Sequence, residues 1–209
     1  MVRFDPEIMP AEALALAKAG ARIGLLGGSF NPAHEAHRHI TLIALRRLKL
    51  DAVWWLVSPQ NPLKSEVEMA PLEKRLTQAR KMAAHPDIHV TAIESELGTR
   101  YTIDTLGALK QQFPKARFVW LMGGDNLADF HRWHRWEEIA KLIPMAVIAR
   151  PRFTTRALAS PAAQQLQAAR RRVQDAATLA DQTPPAWVFI QERLDPTSST
   201  ALRAKGVWR

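Results

Sequence analysis

Two histidines, His34 and His37, follow closely on a glycine pair and a tight turn in the stretch RIGLLGGSFNPAHEAHRHI at positions 22–40. Gly27 and Gly28 end an apolar run, Asn31 and Pro32 turn the chain, and a helix is predicted to begin near His34. Glycine lets the backbone approach a ligand closely, and the first N–H groups of a helix are unpaired and lie at the positive end of its dipole. Such a place binds anions. It is not a P-loop, which needs GK[ST], nor the dinucleotide fingerprint, which needs G-x-G-x-x-G. The spacing of the two histidines puts both imidazoles on nearly one helix face, toward the turn. Zinc is a weak reading, because H-E-x-x-H places its histidines four apart and no third ligand stands nearby. An arbitrary pair of helical histidines would be incidental. The position of this pair, at the carboxyl end of a first strand, favours a ligand, because open α/β sheets bind there.

Other groups could join that chemistry. Asp125 and Asn126 follow a second glycine pair, Gly123 and Gly124, although a plain turn explains Asn126 nearly as well. Lys64 and Arg203 can donate to phosphate, Arg203 through a two-pronged guanidinium. Phe130, Trp133 and Trp136 cluster in the way that core residues do, and Trp54 and Trp55 belong to sheet packing. The remaining histidines read as ordinary side chains.

An alternation of short apolar runs with amphipathic stretches must position these residues. Runs at 22–26, 52–57, 88–93, 117–122 and 145–149 are short and rich in β-branched or aromatic residues, as strands buried on both faces are. Between them, 37–48, 71–84, 102–113 and 136–142 carry apolar residues at helical spacing, with Pro71 at a first turn where proline is tolerated. The expected class is α/β: an open parallel sheet of about five strands with helices on both faces. Beyond about 151 the pattern changes to a small C-terminal helical part. There Leu158, Ala162, Leu166, Ala169, Val173 and Ala176 share one face of an expected helix, and a last strand spans 187–191. The division expected is an N-terminal extension over 1–21 and one domain over 22–209.

The chain of 209 residues is 47% hydrophobic and 23% charged, a globular composition with no run approaching the ~20 apolar residues of a membrane span. It has no cysteine, which removes disulfides, thiolate nucleophiles and thiolate metal sites and fits a reducing compartment. The net charge of +9 attracts anions, yet it is spread along the chain without a basic arm. A cytoplasmic location is expected.

GGSFNPAHEAH (27–37) resembles the GGxFxPxHxGH signature of the nucleotidyltransferases related to class I aminoacyl-tRNA synthetases, with Ala36 where the family usually carries glycine. SPQNPLK (58–64), RYTIDTL (100–106), GGDNLADFHRWHRW (123–136), Arg150 with Pro151, and SSTALR (198–203) follow in the order found in nicotinate-nucleotide adenylyltransferases. The resemblance runs from 22 to 203 and implies a Rossmann-like sheet and transfer of AMP from ATP to nicotinate mononucleotide. By the same resemblance, His34 and His37 contact the ATP phosphates. Gly27, Gly28, Ser29, Phe30, Lys64, Asp125, Ser199, Thr200 and Arg203 complete the ATP site. Thr102 and the backbone N–H of His134 hold the pyridine carboxylate, and Trp133 stacks on the ring. Mg²⁺ is expected to arrive with ATP, with no tightly bound cofactor and no protein metal site. ATP and nicotinate mononucleotide are the expected partners, without nucleic acid or membrane, and a homo-oligomer stays open. The alternatives are a related adenylyl- or cytidylyltransferase acting on nicotinamide mononucleotide or phosphopantetheine, and a noncatalytic basic nucleic-acid-binding protein.

Overall fold

The computed structural model describes residues 5, 8–59, 69–150, 153–192 and 203. Six parallel strands form one sheet: β1 (Arg22–Gly28), β2 (Ala52–Val57), β3 (Ile88–Thr91), β4 (Arg117–Gly123), β5 (Met145–Ile148) and β6 (Trp187–Ile190), in the order β3-β2-β1-β4-β5-β6. The expected last strand therefore joins the same sheet as its sixth member. From β1 the chain moves outward to β2 and β3, then returns to β4 beside β1 and continues to the other edge. The crevice between the carboxyl ends of β1 and β4 is a topological switch point, where such sheets bind ligands.

Uninterrupted apolar strands follow from coverage on both faces. Every residue of β2 is buried, and its consecutive tryptophans divide between the two cores, Trp54 on one face and Trp55 on the other. On the face of Trp55, α2 (Glu35–Leu48) supplies Ile40, Ile43 and Leu48, and α3 (Leu72–Ala83) supplies Ala79 and Ala83. On the face of Trp54 lie α5 (Thr102–Gln112), α6 (Gly124–Asp129) and α7 (Trp136–Leu142), with the short α4 (Ile93–Leu97) entering that core through Ile93. The segment expected as an N-terminal extension holds α1 (Ala11–Ala19), which packs on the same face through Ala13 and Ala17, with Met9 just before it; all three are fully buried. Among the described residues no helix is long and apolar enough to cross a membrane.

The single helix expected across 158–176 is absent. Instead α8 (Thr154–Leu158) and α9 (Pro161–Gln165) are followed by 3₁₀ turns at Gln167–Ala169 and Val173–Asp181. Ser160 caps α9 by accepting from the Ala163 N–H at 3.3 Å, and Pro161 starts a new helix because it cannot donate into an existing one. Farther on, the Arg171 N–H donates to the Trp187 carbonyl at 2.7 Å and ties the chain to the sheet edge. Leu158, Leu166 and Ala169 accordingly pack on one face of the sheet, and Val173 and Ala176 on the other.

Candidate active site

The cleft at the switch point encloses about 630 Å³, within the range of small-molecule sites. Gly27 makes its floor possible: a Cβ there would stand 2.4 Å from the Trp120 ring of the neighbouring strand, and Trp120 itself lines the cleft. After Gly28 the chain reverses through Phe30, at a left-handed φ of 43°, and a cis Asn31–Pro32 bond. A left-handed non-glycine residue is uncommon, and such strain gathers at functional sites. The Phe30 ring is buried, stacked on Trp55 at 5.1 Å and tilted against His37 at 4.7 Å. Phe30 is thus a rigid base beneath the histidines.

His34 is the N-cap of α2, and its backbone N–H donates to Nδ1 of His37 at 3.2 Å. With Nδ1 accepting, the neutral His37 imidazole carries its proton on Nε2 and can offer it to a ligand. The two rings lie 3.9 Å apart, on one side of the helix start as their spacing predicts, and both line the cleft. A relay fixes His37 from below: the Trp55 indole N–H donates to the Thr41 hydroxyl at 2.8 Å, and Thr41 donates to the His37 carbonyl at 2.9 Å.

Arg203 is brought to the same loop, where Nη1 donates to the Asn31 carbonyl at 2.6 Å. Gly28 and Ser29 line the cleft beside it. Lys64, Ser199 and Thr200 lie outside the described residues.

Opposite the histidines, β4 ends at Gly123, where a Cβ would stand 2.4 Å from Oδ1 of Asp125. Asp125 accepts from Arg150 Nη1 at 2.8 Å through Oδ2, while its Oδ1 is buried without a hydrogen-bond partner among the described residues. Asp125 lines the cleft. Asn126 also lines the cleft.

Thr102, Trp133 and His134 form the far end. Thr102 is the first residue of α5, so it lies at the positive end of a helix of 11 residues. Trp133 is half-buried, meeting Trp120 at 6.2 Å and Phe130 at 5.3 Å, both edge-on. Those contacts hold the indole while it lines the cleft. Trp136 packs edge-on against Phe130 at 5.7 Å as core. The ring of His134 lies 4.3 Å from that of Tyr101, across the mouth of this end.

Several contributors have no role assigned from the sequence: Glu94 and Arg75 stand outside the motifs, and Arg100, Arg132 and Arg150 stand within them. Glu94 lines the cleft; burial pushes its carboxyl up from the ordinary 4.5 to about 7, although the Ser58 and Thr105 hydroxyls donate to it and pull the other way. Its position just past a strand and before RYTIDTL was the one available hint. Arg100, Arg132 and Arg150 also line the cleft and bring cationic charge to it. Arg75 lies behind the loop that follows β1, and its signal was a charge on the apolar face that Leu72, Leu76 and Ala79 define.

Residues 25–205 match the family described as cytidylyltransferase-like. The chain is 53% identical over 189 residues to the probable nicotinate-nucleotide adenylyltransferase of Parvibaculum lavamentivorans, covering 90% of this chain and 94% of that one. It is 54% identical over 187 residues to the probable nicotinate-nucleotide adenylyltransferase of Cereibacter sphaeroides, covering 90% of this chain and 99% of the relative. Among solved structures, the nicotinic acid mononucleotide adenylyltransferase of Plasmodium falciparum complexed with NaAD superposes with a TM-score of 0.68 at 18% identity, over 88% of this chain and 83% of that chain. At that identity the likeness speaks for the fold.

Proposed function

Because this chain belongs to the nicotinate-nucleotide adenylyltransferases of the cytidylyltransferase-like family, we propose that its cleft aligns ATP with nicotinate mononucleotide and transfers the adenylyl group between them. The observation that carries this reading is one cleft with two differently built ends. The anion end has His34, His37 and the start of α2, and the other has Trp133 and the start of α5.

A phosphate oxygen of nicotinate mononucleotide attacks the α-phosphorus of ATP, the bond to the β-phosphate breaks, and pyrophosphate leaves. A phosphate monoester with a second pKa near ~6 is already largely ionised at pH 7, so the attack needs no general base. What the protein supplies is alignment of two anions and stabilisation of charge on the departing phosphates. His37, with its proton on Nε2, and His34 donate to the phosphate chain, and Arg203 adds charge from the other side of the loop. The Asp125 carboxylate accepts from a ribose hydroxyl. At the far end Trp133 stacks on the pyridine ring, while the Thr102 and His134 backbone N–H groups hold its carboxylate. Among the described residues no group of three or more His, Asp or Glu gathers as a metal cage. A magnesium ion arriving with ATP would help to neutralise charge on the departing phosphates.

A pyrophosphate-release assay with ATP, Mg²⁺ and one acceptor at a time tests the reading. Release with nicotinate mononucleotide, and little with nicotinamide mononucleotide or phosphopantetheine, is expected. Equal release with phosphopantetheine, or none with any acceptor, would overturn it.

A further inference from the structure

Behind the phosphate end lies a charge that the reaction scheme leaves unused. Arg75, on α3, is only 1% exposed. Its Nε donates to the Ala70 carbonyl at 2.8 Å, Nη1 to the Ser29 and Ser58 carbonyls, both at 2.7 Å, and Nη2 to the Pro59 carbonyl at 3.0 Å. Every acceptor is a neutral backbone oxygen, and among the described residues no carboxylate forms an ion pair with it. Burial lowers its pKa, but a guanidinium keeps its proton in proteins.

A buried cation without a counter-ion is costly, and bracing four carbonyls does not by itself require a charge. Its place supplies a reason. Ser29 and Ser58 line the cleft, so a single layer of backbone separates the guanidinium from a ligand there. Arg75 also draws the Ser29 carbonyl toward itself. In a trans peptide the C=O and the following N–H point in opposite directions, so the Phe30 N–H faces away from Arg75. A carbonyl that would repel phosphate is held back, and the amide after it is turned outward.

We propose that Arg75 is a positioning residue for the polyphosphate chain of the nucleotide, a buried cation that no carboxylate among the described residues pairs with, whose charge attracts the incoming phosphates and whose fork orients the loop that receives them. The proposal rests on reading this end of the cleft as the nucleotide phosphate site.

Calorimetric binding of inorganic tripolyphosphate to the full chain tests it, alongside KM for both substrates. Arg75→Gln should weaken tripolyphosphate by about tenfold or more, the scale of a lost charge-assisted interaction, and raise KM for ATP more than KM for nicotinate mononucleotide. Arg75→Lys keeps the charge, but a buried ammonium loses its proton far more readily than a guanidinium. Its affinity should therefore lie between those of wild type and Arg75→Gln at pH 6, because the charge stays while the fork is lost, and fall by about a further tenfold relative to wild type toward pH 9. Wild-type affinity in Arg75→Gln overturns the proposal, as does an equal rise in both KM values. Should Arg75→Gln fail to fold, a constant ratio of Arg75→Lys to wild type across pH overturns it. If wild type itself binds neither tripolyphosphate nor ATP, the nucleotide-site reading fails first and the proposal with it.

Discussion

Replacing Glu94 with glutamine should stabilise the protein above neutral pH and leave it unchanged in acid. The carboxyl titrates at about 7 in the folded chain against 4.5 ordinarily, because burial disfavours the ionised form. Below 4.5 both states hold the proton, and a neutral acid and an amide make equivalent partners for Ser58 and Thr105. Between 4.5 and 7 the unfolded chain ionises while the folded chain does not, so wild type loses stability steadily as pH rises. Above 7 the loss is complete. The gap between the two pKa values corresponds to about 3 kcal/mol. For a chain of this size that is roughly 6 to 12 °C in Tm. Thermal unfolding of both proteins from pH 4.5 to 9 is the assay. The expected record is two coincident Tm values at the acid end that separate through pH 5 to 7, with the variant higher. A pH-independent difference, or a variant that is less stable in base, would refute the argument, because either result means that Glu94 is not a carboxyl held uncharged by burial.

His37→Ala should lower kcat by roughly 10²-fold, as when a preorganised donor to developing charge is removed. Its Tm should fall only slightly, since the structural losses include one capping acceptor for the His34 N–H and ring contacts with Phe30 and His34 at the rim of the cleft; turnover near wild type would remove His37 from the phosphate site. Trp133→Ala should raise KM for the pyridine nucleotide more than KM for ATP, because one stacking face is lost. Equal effects on both KM values, or unfolding, would make its edge-on contacts with Trp120 and Phe130 its whole role.

The parts of the site that were legible in the sequence are those encoded locally. A glycine pair, a turn and two histidines specify their own geometry, and His34 and His37 do share one side of a helix start. The strands were legible because burial on both faces leaves an apolar run. The helix expected across 158–176 shows the limit of that logic. Its apolar positions are spaced for one face, but Ser160 with Pro161 restarts the helix and the Arg171 to Trp187 bond bends the chain over the sheet edge. Glu94 and Arg75 were hidden for a related reason. What makes each unusual is burial, and burial comes from elements distant in sequence: Ser58 and Thr105 around Glu94, and Ser29 and Ser58 around Arg75.

The proposed function requires the end of the cleft lined by Thr102, Trp133 and His134 to select an acid by fixed donors, at the start of α5 and after Trp133. A carboxylate accepts from both, whereas a carboxamide must turn its NH₂ toward one of them and lose that bond. With charge-assisted bonds worth about 1.5 to 3 kcal/mol each, losing one or both gives discrimination from roughly tenfold to 10⁴-fold. Short hydrogen bonds in a cleft are screened far less than exposed charges, so the ratio should survive salt. The decisive measurement is kcat/KM for nicotinate and nicotinamide mononucleotides at low and high ionic strength. A preference for the acid of at least tenfold, unchanged by salt, is predicted. Comparable values for the two nucleotides, or a preference that salt abolishes, would contradict the account.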